Sequence, residues 1–422
     1  MNASTAAADA PCWLLLTPQA QAWQATEIDL AQEEPGLPDA AFVARIPPDA
    51  LQAFADTLAA IARRAHTADL LILVPHRPPP EVCVREDGAV DSFACRLGTL
   101  RALAAHGGWA LVQADLYRVT EAALNNPHAP AAACLQMPPP SLDALADAEG
   151  DPALTAEWII PHRGWLPHLR TCLAGVARAA GAGDLVSVAL DEPVVETHRA
   201  LAAQHPGARV LACEPSGVGP YVAREILASQ CRHPAILFQD ADDSPCVDRR
   251  HRLLAALVQR DLDLVGSHEL RVDEIKRQVV ALRFPLDVTR ALDKMPCHPL
   301  LFPSAAVRTP ALRAAGGLST HRRFGSDTEF ILRAHFFLRI GNVDDFLYLR
   351  RMRAGSLTTS PETHVASPMR QALDATWKRD FALVRRGRLA LADSSLAVTH
   401  REDLRATRLV RVGAQPPSVA PA

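Results

Sequence analysis

From Glu157 onward the chain settles into a regular alternation. The short apolar runs 157–161 (EWIIP), 185–190 (LVSVAL), 209–213 and 235–239 (AILFQ) are separated by helix-like stretches at 165–180, 194–204 and 220–231. Strand-length apolar runs joined by helices of about 10–15 residues leave few folds open, because a parallel neighbour is reached only through a crossover, usually helical. The expected class is therefore α/β, with a parallel sheet wrapped by helices. In such open sheets ligands gather beyond the carboxyl ends of the strands, and polar residues of interest here follow those ends.

The pattern before and after this block is less regular. Upstream, 49–66 places Leu51, Phe54, Leu58 and Ile61 at helical spacing, and 70–74 reads as a strand stopped by Pro75 and Pro78–Pro80. A helix-like stretch (95–105), a strand (109–113), the Pro138–Pro140 break and an acidic loop to Asp151 follow. We expect a boundary near 150. Residues 1–150 then form an N-terminal α/β accessory region, opening with a loose arm over 1–40. It is expected to be separable and to supply no catalytic group. Residues 151–400 form the main domain, and 401–422 a tail whose end (413–422) has too little apolar surface to fold. Within the main domain come a helix at 247–260, strands at 262–268 and 278–284, and a Gly316-Gly317 turn. A helix opening at Asp327, an apolar run to Tyr348 and an amphipathic helix over 368–386 complete it.

Charge excludes some partners. With 44 Lys+Arg against 47 Asp+Glu and a formal charge of -3, no global basic field favours nucleic acid. Only Lys276, Lys294 and Lys378 are lysines, so Arg is over-used and a lone Arg is weak evidence. Nine scattered cysteines without C-x2-C spacing predict reduced, mostly structural thiols. The start of the sequence lacks the charged and apolar regions of a signal peptide, and no apolar run reaches spanning length, which predicts a cytoplasmic protein.

The strongest chemical feature is Asp240-Ala241-Asp242-Asp243, directly after AILFQ. Carboxylates crowded at a strand end repel one another unless a divalent cation or sugar hydroxyls meet them, and oxygen ligands suit Mg2+ or Mn2+. Alternation points Asp240 and Asp242 the same way. The rival reading is a solvated acidic turn capping the next helix. Asp327, in Phe324-Gly325-Ser326-Asp327-Thr328-Glu329, has a similar pair of readings: general base or helix cap.

Taken together, Ile160-Pro161 closing the first strand, Asp191 ending VSVALD, Gly219, Ala223 and Arg224, the Asp240–Asp243 cluster, Gly316-Gly317 and Asp327 resemble the family 2 glycosyltransferases over about residues 155–362. Gly217 and Glu225 stand where that family usually has asparagines, and Ser326 where it often has Glu. The resemblance implies a GT-A fold, Rossmann-like, acting as an inverting transferase of bacterial type. Its donor would be a nucleotide-diphosphate sugar, its acceptor a carbohydrate or glycolipid hydroxyl in cell-surface polysaccharide synthesis, and its placement peripheral to a membrane. It also implies residue roles: Pro161, Asp191, Arg224, Asp240 and Asp242 around the donor, Asp242 on Mn2+ or Mg2+ with His364 completing the shell, and Asp327 as base. A sugar nucleotidyltransferase is the rival enzyme, but Pro161-His162-Arg163-Gly164-Trp165 is not the Gly-rich phosphate loop it would need. An inactive carbohydrate-binding relative is the third reading.

Overall fold

The apolar runs assemble into two sheets. The computed structural model describes residues 12–18, 23–28, 37–107, 115–126, 128, 130–137, 154–364 and 366–413. The expected strand 109–113, the Pro138–Asp151 segment and the end of the tail lie outside them.

The first sheet uses β1 (Cys12–Pro18), β2 (Trp23–Ile28), β3 (Phe42–Ile46), β4 (Leu70–Pro75), β6 (Ser92–Arg96) and β7 (Ala132–Met137) in the order β2-β1-β3-β6-β4-β7. Between β4 and β6 runs β5 (Arg85–Val90), which joins the other sheet. The loose arm expected over 1–40 is thus corrected in part, because β1 pairs with both β2 and β3 and buries Leu14 and Leu16. The amphipathic stretch 49–66 splits into helices Leu51–Ala55 and Leu58–Arg64, where Thr57 turns its hydroxyl back onto the Ala53 carbonyl at 2.6 Å.

The second sheet holds the regular block. Strands β8 (Ala156–His162), β9 (Leu185–Leu190), β10 (Ala208–Glu214) and β11 (Ala235–Phe238) form a parallel core in the order β11-β8-β9-β10. Helices Leu166–Ala179, Glu196–Gln204 and Pro220–Gln230 connect them, close to the predicted bounds. Beyond β11 come β12 (Ser244–Pro245), β13 (Leu264–Asp273), β14 (Gln278–Arg283), β15 (Ala306–Arg308), β16 (Ile340–Met352) and β17 (Arg408–Arg411), giving eleven strands with β5 included. The α/β class is as expected. Strand β17, within the expected tail, lies antiparallel along β10. No helix among the described residues is long and apolar enough to cross a membrane.

The two sheets divide near residue 150, except that β5 crosses to pair with β14. The junction is deeply buried and charged. Arg283, fully buried, donates to Asp87, to the Pro75 carbonyl at 2.8 Å and to Gln136 Oε1 at 2.8 Å, while Gln136 donates to the Asp344 carbonyl at 2.7 Å. Arg351 reaches the Leu124 carbonyl at 2.6 Å and Asn125 Oδ1 at 3.0 Å. Removing one partner from a buried charged network strands the other, at a cost of several kcal/mol. The expected separability of residues 1–150 therefore runs against the way the two parts are packed.

Candidate active site

The carboxyl ends of β8, β9 and β11 carry the residues singled out above. Asp240 leaves β11 with its N–H donating to the Tyr348 hydroxyl at 3.1 Å, and buried Arg249 braces the turn from below through Gln239 Oε1 at 2.6 Å. Arg249 lies between the rings of Trp158 and Tyr348, 5.2 and 5.0 Å from their centroids.

The acidic residues of the cluster do not do the same job. Asp243 is buried and accepts the Arg351 N–H at 2.8 Å, which fixes the turn to β16. Asp240 and Asp242 stay partly exposed, with side chains 30% and 28% accessible, and each meets a guanidinium, Arg224 for the first and Arg353 at 3.2 Å for the second. Burial raises the Asp240 pKa, Arg224 opposes that, and Asp242 adds to it. The two carboxylates thus feel one another. The solvated-cap reading fails for Asp243, which is buried, and no side-chain cap hydrogen bond is made at Asp248, where the next helix begins.

Asp327 lies in the first turn of helix Ser326–Ala334, half-buried, and accepts the Tyr221 hydroxyl at 3.0 Å. Burial raises its pKa, but His298, Arg370, the Thr328 N–H and Tyr221 together bring it below the ordinary aspartate value. It is an ionised acceptor at neutral pH. Glu329, two residues on, is buried among Ser319, Arg322 and Arg333 and has no acceptor facing the site. Two glycines make this placement feasible. Gly325 (φ +81°) starts the helix where a Cβ would come within 2.8 Å of Trp377 Cη2, and at Gly317 (φ +74°) it would meet Glu225 Oε1 at 2.5 Å. Glu225 accepts the Leu318 N–H at 2.7 Å, and burial pushes its pKa up to about 7.

Helix Pro220–Gln230 joins the two halves. Tyr221 and Arg224 are one helical turn apart on one face, Arg224 lies 5.5 Å from the Tyr221 ring centroid, and they hold Asp327 and Asp240 respectively. Sequence reasoning singled out Arg224 but missed Tyr221, whose i, i+3 spacing to Arg224 was the available signal. It also missed His298, which hydrogen-bonds with Thr328 Oγ1 at 3.2 Å, and Arg353 and Arg370, which the abundance of Arg concealed.

Other expectations shift. Asp191 is almost fully buried, and its carboxylate accepts the N–H groups of Gly217, Val218 and Gly219 at 2.7, 2.8 and 2.8 Å. It shapes the loop that opens helix Pro220–Gln230, and its acceptors face backbone rather than open space. Pro161 is buried within β8. Arg351 is a buried pin to helix Leu116–Asn125, while Arg350 pairs with Glu269 at 3.5 Å. Burial lowers the pKa values of His162 and His168 to about 4, so both are neutral.

His364, expected to complete the metal shell, is held within its own turn. Its Nδ1 accepts the Ala366 N–H at 3.1 Å inside its own turn, and no group of three or more His, Cys, Asp or Glu side chains suited to a metal occurs among the described residues. Asp240 and Asp242 remain as a two-carboxylate donor set. That set fits Mg2+ or Mn2+, which commonly take one or two carboxylates and complete their shell with phosphate oxygens and water. A cleft of about 710 Å3 lies at the opposite ends of these strands, lined by Glu157, Leu185, Arg209 and Arg232 among others. It includes none of the residues placed above, so the chemistry is assigned to the carboxyl ends.

No family model matches the chain, and no curated protein matches it. Among solved structures it is similar to S. aureus TarS residues 1–349, at 15% identity and a TM-score of 0.41 over 57% of this chain and 74% of that one. The same protein in complex with UDP-GlcNAc gives 15% and 0.42 over 55% and 73%. Its complex with UDP gives 16% and 0.41 over 57% and 74%.

Proposed function

We propose that the chain is an inverting, metal-assisted glycosyltransferase of GT-A type, moving a sugar from a nucleotide-diphosphate donor to an acceptor hydroxyl. One observation carries this reading: Tyr221 and Arg224 on one helix face hold an ionised carboxylate, Asp327, beside the cation-rimmed pair Asp240 and Asp242. A single displacement needs a base on one side of the reacting carbon and charge stabilisation on the other. Asp327 is held ionised by Arg370, the Thr328 N–H and the Tyr221 hydroxyl and accepts the proton of the attacking hydroxyl. Arg224, Arg350 and Arg353 surround the opposite carboxylates and meet the negative charge of the departing diphosphate. Asp242 and Asp240 would hold a divalent cation, which supplies further neutralisation of that charge. Asp191 shapes the loop against which the nucleotide rests. Family 2 membership, a carbohydrate or glycolipid acceptor, a place at the membrane surface and a role in cell-surface polysaccharide rest on the sequence resemblance alone.

The test is a thermal-shift series of UDP-, GDP- and dTDP-sugars with and without Mn2+, on the wild type and Asp242→Ala. A bound donor stabilises the folded state by mass action, by about 2.7 kcal/mol at a hundredfold excess over Kd. One nucleotide is expected to raise Tm in Mn2+, and Asp242→Ala to lose that increment while keeping its own Tm. No response to any of the three, or an undiminished response in Asp242→Ala, would overturn the reading.

A further inference from the structure

Seven of the nine cysteines fall into two kinds. Cys95, Cys172 and Cys231 spend their thiols on carbonyls and a hydroxyl of their surroundings. Four others meet in twos. Cys134 on β7 and Cys246 just after β12 bring their sulfurs to 3.6 Å, and the Cys297 thiol donates to the carbonyl of Val82, the residue before Cys83, at 3.4 Å. Each couple takes one cysteine from before residue 150 and one from after it. The segments carrying the first couple are already in register, since the Val247 N–H donates to the Ala132 carbonyl at 2.9 Å. In each couple the member from before residue 150 is half-buried and the other buried.

We propose that these couples are two disulfide-forming sites that take a small-molecule disulfide oxidant and tie the first sheet covalently to the second. Closing Cys134 onto Cys246 requires the sulfurs, now 3.6 Å apart, to approach by roughly 1.6 Å, to the usual bond length of about 2.0 Å. The half-buried thiol reacts first: as its thiolate it attacks the oxidant's S–S bond, giving a mixed disulfide and releasing one small thiolate. The buried partner then attacks the protein sulfur of that mixed disulfide and expels the second small thiolate. Two protein thiols are oxidised, one small disulfide is reduced, and the two protons end on the departing thiols. The order follows from the environment, because the contact with Cys134 and burial keep Cys246 protonated at rest, and burial and Cys83 do the same for Cys297. Each couple also lies against one half of the candidate active site. Cys246 follows the Asp240–Asp243 turn by three residues, and Cys297 is next to His298 beside Asp327. The inference stands on thiol placement and does not depend on the proposed reaction.

The test treats the folded full chain with oxidised glutathione, blocks remaining thiols and maps peptides without reduction. The expected result is linked Cys134–Cys246 and Cys83–Cys297 peptides, the other five of the nine thiols still alkylated, and a higher urea midpoint than the reduced protein. Cys134→Ser should lose only the first link and Cys83→Ser only the second. Stable glutathione adducts at Cys83 and Cys134 without internal links, untouched couples, or links between other cysteines would each overturn the proposal. Because the mapping is read on the wild type, a variant that fails to fold does not blunt it.

Discussion

Two strand ends of the same sheet carry aspartates and use them in opposite ways. After β9, Asp191 is buried and its oxygens are taken up by three successive backbone N–H groups. After β11, the carboxylates of Asp240 and Asp242 are partly open and, among the described residues, meet the guanidinium groups of Arg224 and Arg353. A backbone amide has nowhere else to go, so a carboxylate it satisfies is part of the architecture. A guanidinium on a flexible stem can swing to a phosphate, leaving its carboxylate free for a cation. The contrast recurs within one turn, where Asp243 takes a backbone N–H and its neighbours do not.

The sharpest way to break this distinction is at Asp327, the open carboxylate assigned to catalysis. Asp327→Asn keeps the Tyr221 hydrogen bond but removes basicity, so transfer should fall by about 10²–10⁴-fold with donor affinity unchanged. Steady-state rates alongside a donor titration decide it, and parallel loss of both would make Asp327 a binding group. Asp191→Ala should act on folding. It strips the acceptor from three amides, of which that of Val218 is buried, and at about 1–3 kcal/mol for a donor left buried and unmet the loss in urea unfolding should be of that size. A variant as stable as wild type that loses only nucleotide binding would instead return Asp191 to the nucleobase.

Glu225 tests the same idea through pH. Its pKa is about 7 in the folded chain against an ordinary 4.5, so the folded state holds a proton that the unfolded state has released between those values. Stability from this group is full below about 4.5 and is lost as pH rises through 7. Glu225→Gln keeps an acceptor for the Leu318 N–H and cannot ionise, so relative to wild type it should gain up to about 3 kcal/mol between pH 5 and pH 8. A constant difference across that range would place the titration elsewhere. The smallest effect belongs to Tyr221→Phe, which removes one hydrogen bond to Asp327. About 1 kcal/mol, or roughly a fivefold slower transfer, is expected, with the acid limb of the pH–rate profile moved upward.

The parallel block was legible because β8 to β11 are mostly apolar, mostly buried runs and their helices are long enough to show a period. Strand β15 has three residues and β17 four, too short for any periodic signal, and both exist because a neighbour's edge awaits them. At the site, Asp240, Asp242 and Asp327 stood out as residue types at strand and helix ends. What they bond to did not, since the Tyr221–Asp327 pair spans 106 residues and the Asp242–Arg353 pair 111. The distinction between a saturated Asp191 and an open Asp242 is likewise invisible in sequence, because it depends on which backbone groups the fold delivers.

Strand β5 has a consequence for how the chain avoids its own kind. Without it, β14 (QVVALR) would present an apolar row of unpaired N–H and C=O groups, the template on which β-rich aggregates grow. The strand laid over that row is REDGAV, with three charged residues and a glycine, so the sheet ends on a border to which another apolar strand adds poorly. Cutting the chain near residue 150 would uncover β14, and the shortened protein should associate through it, with intermolecular β-structure growing as its concentration rises.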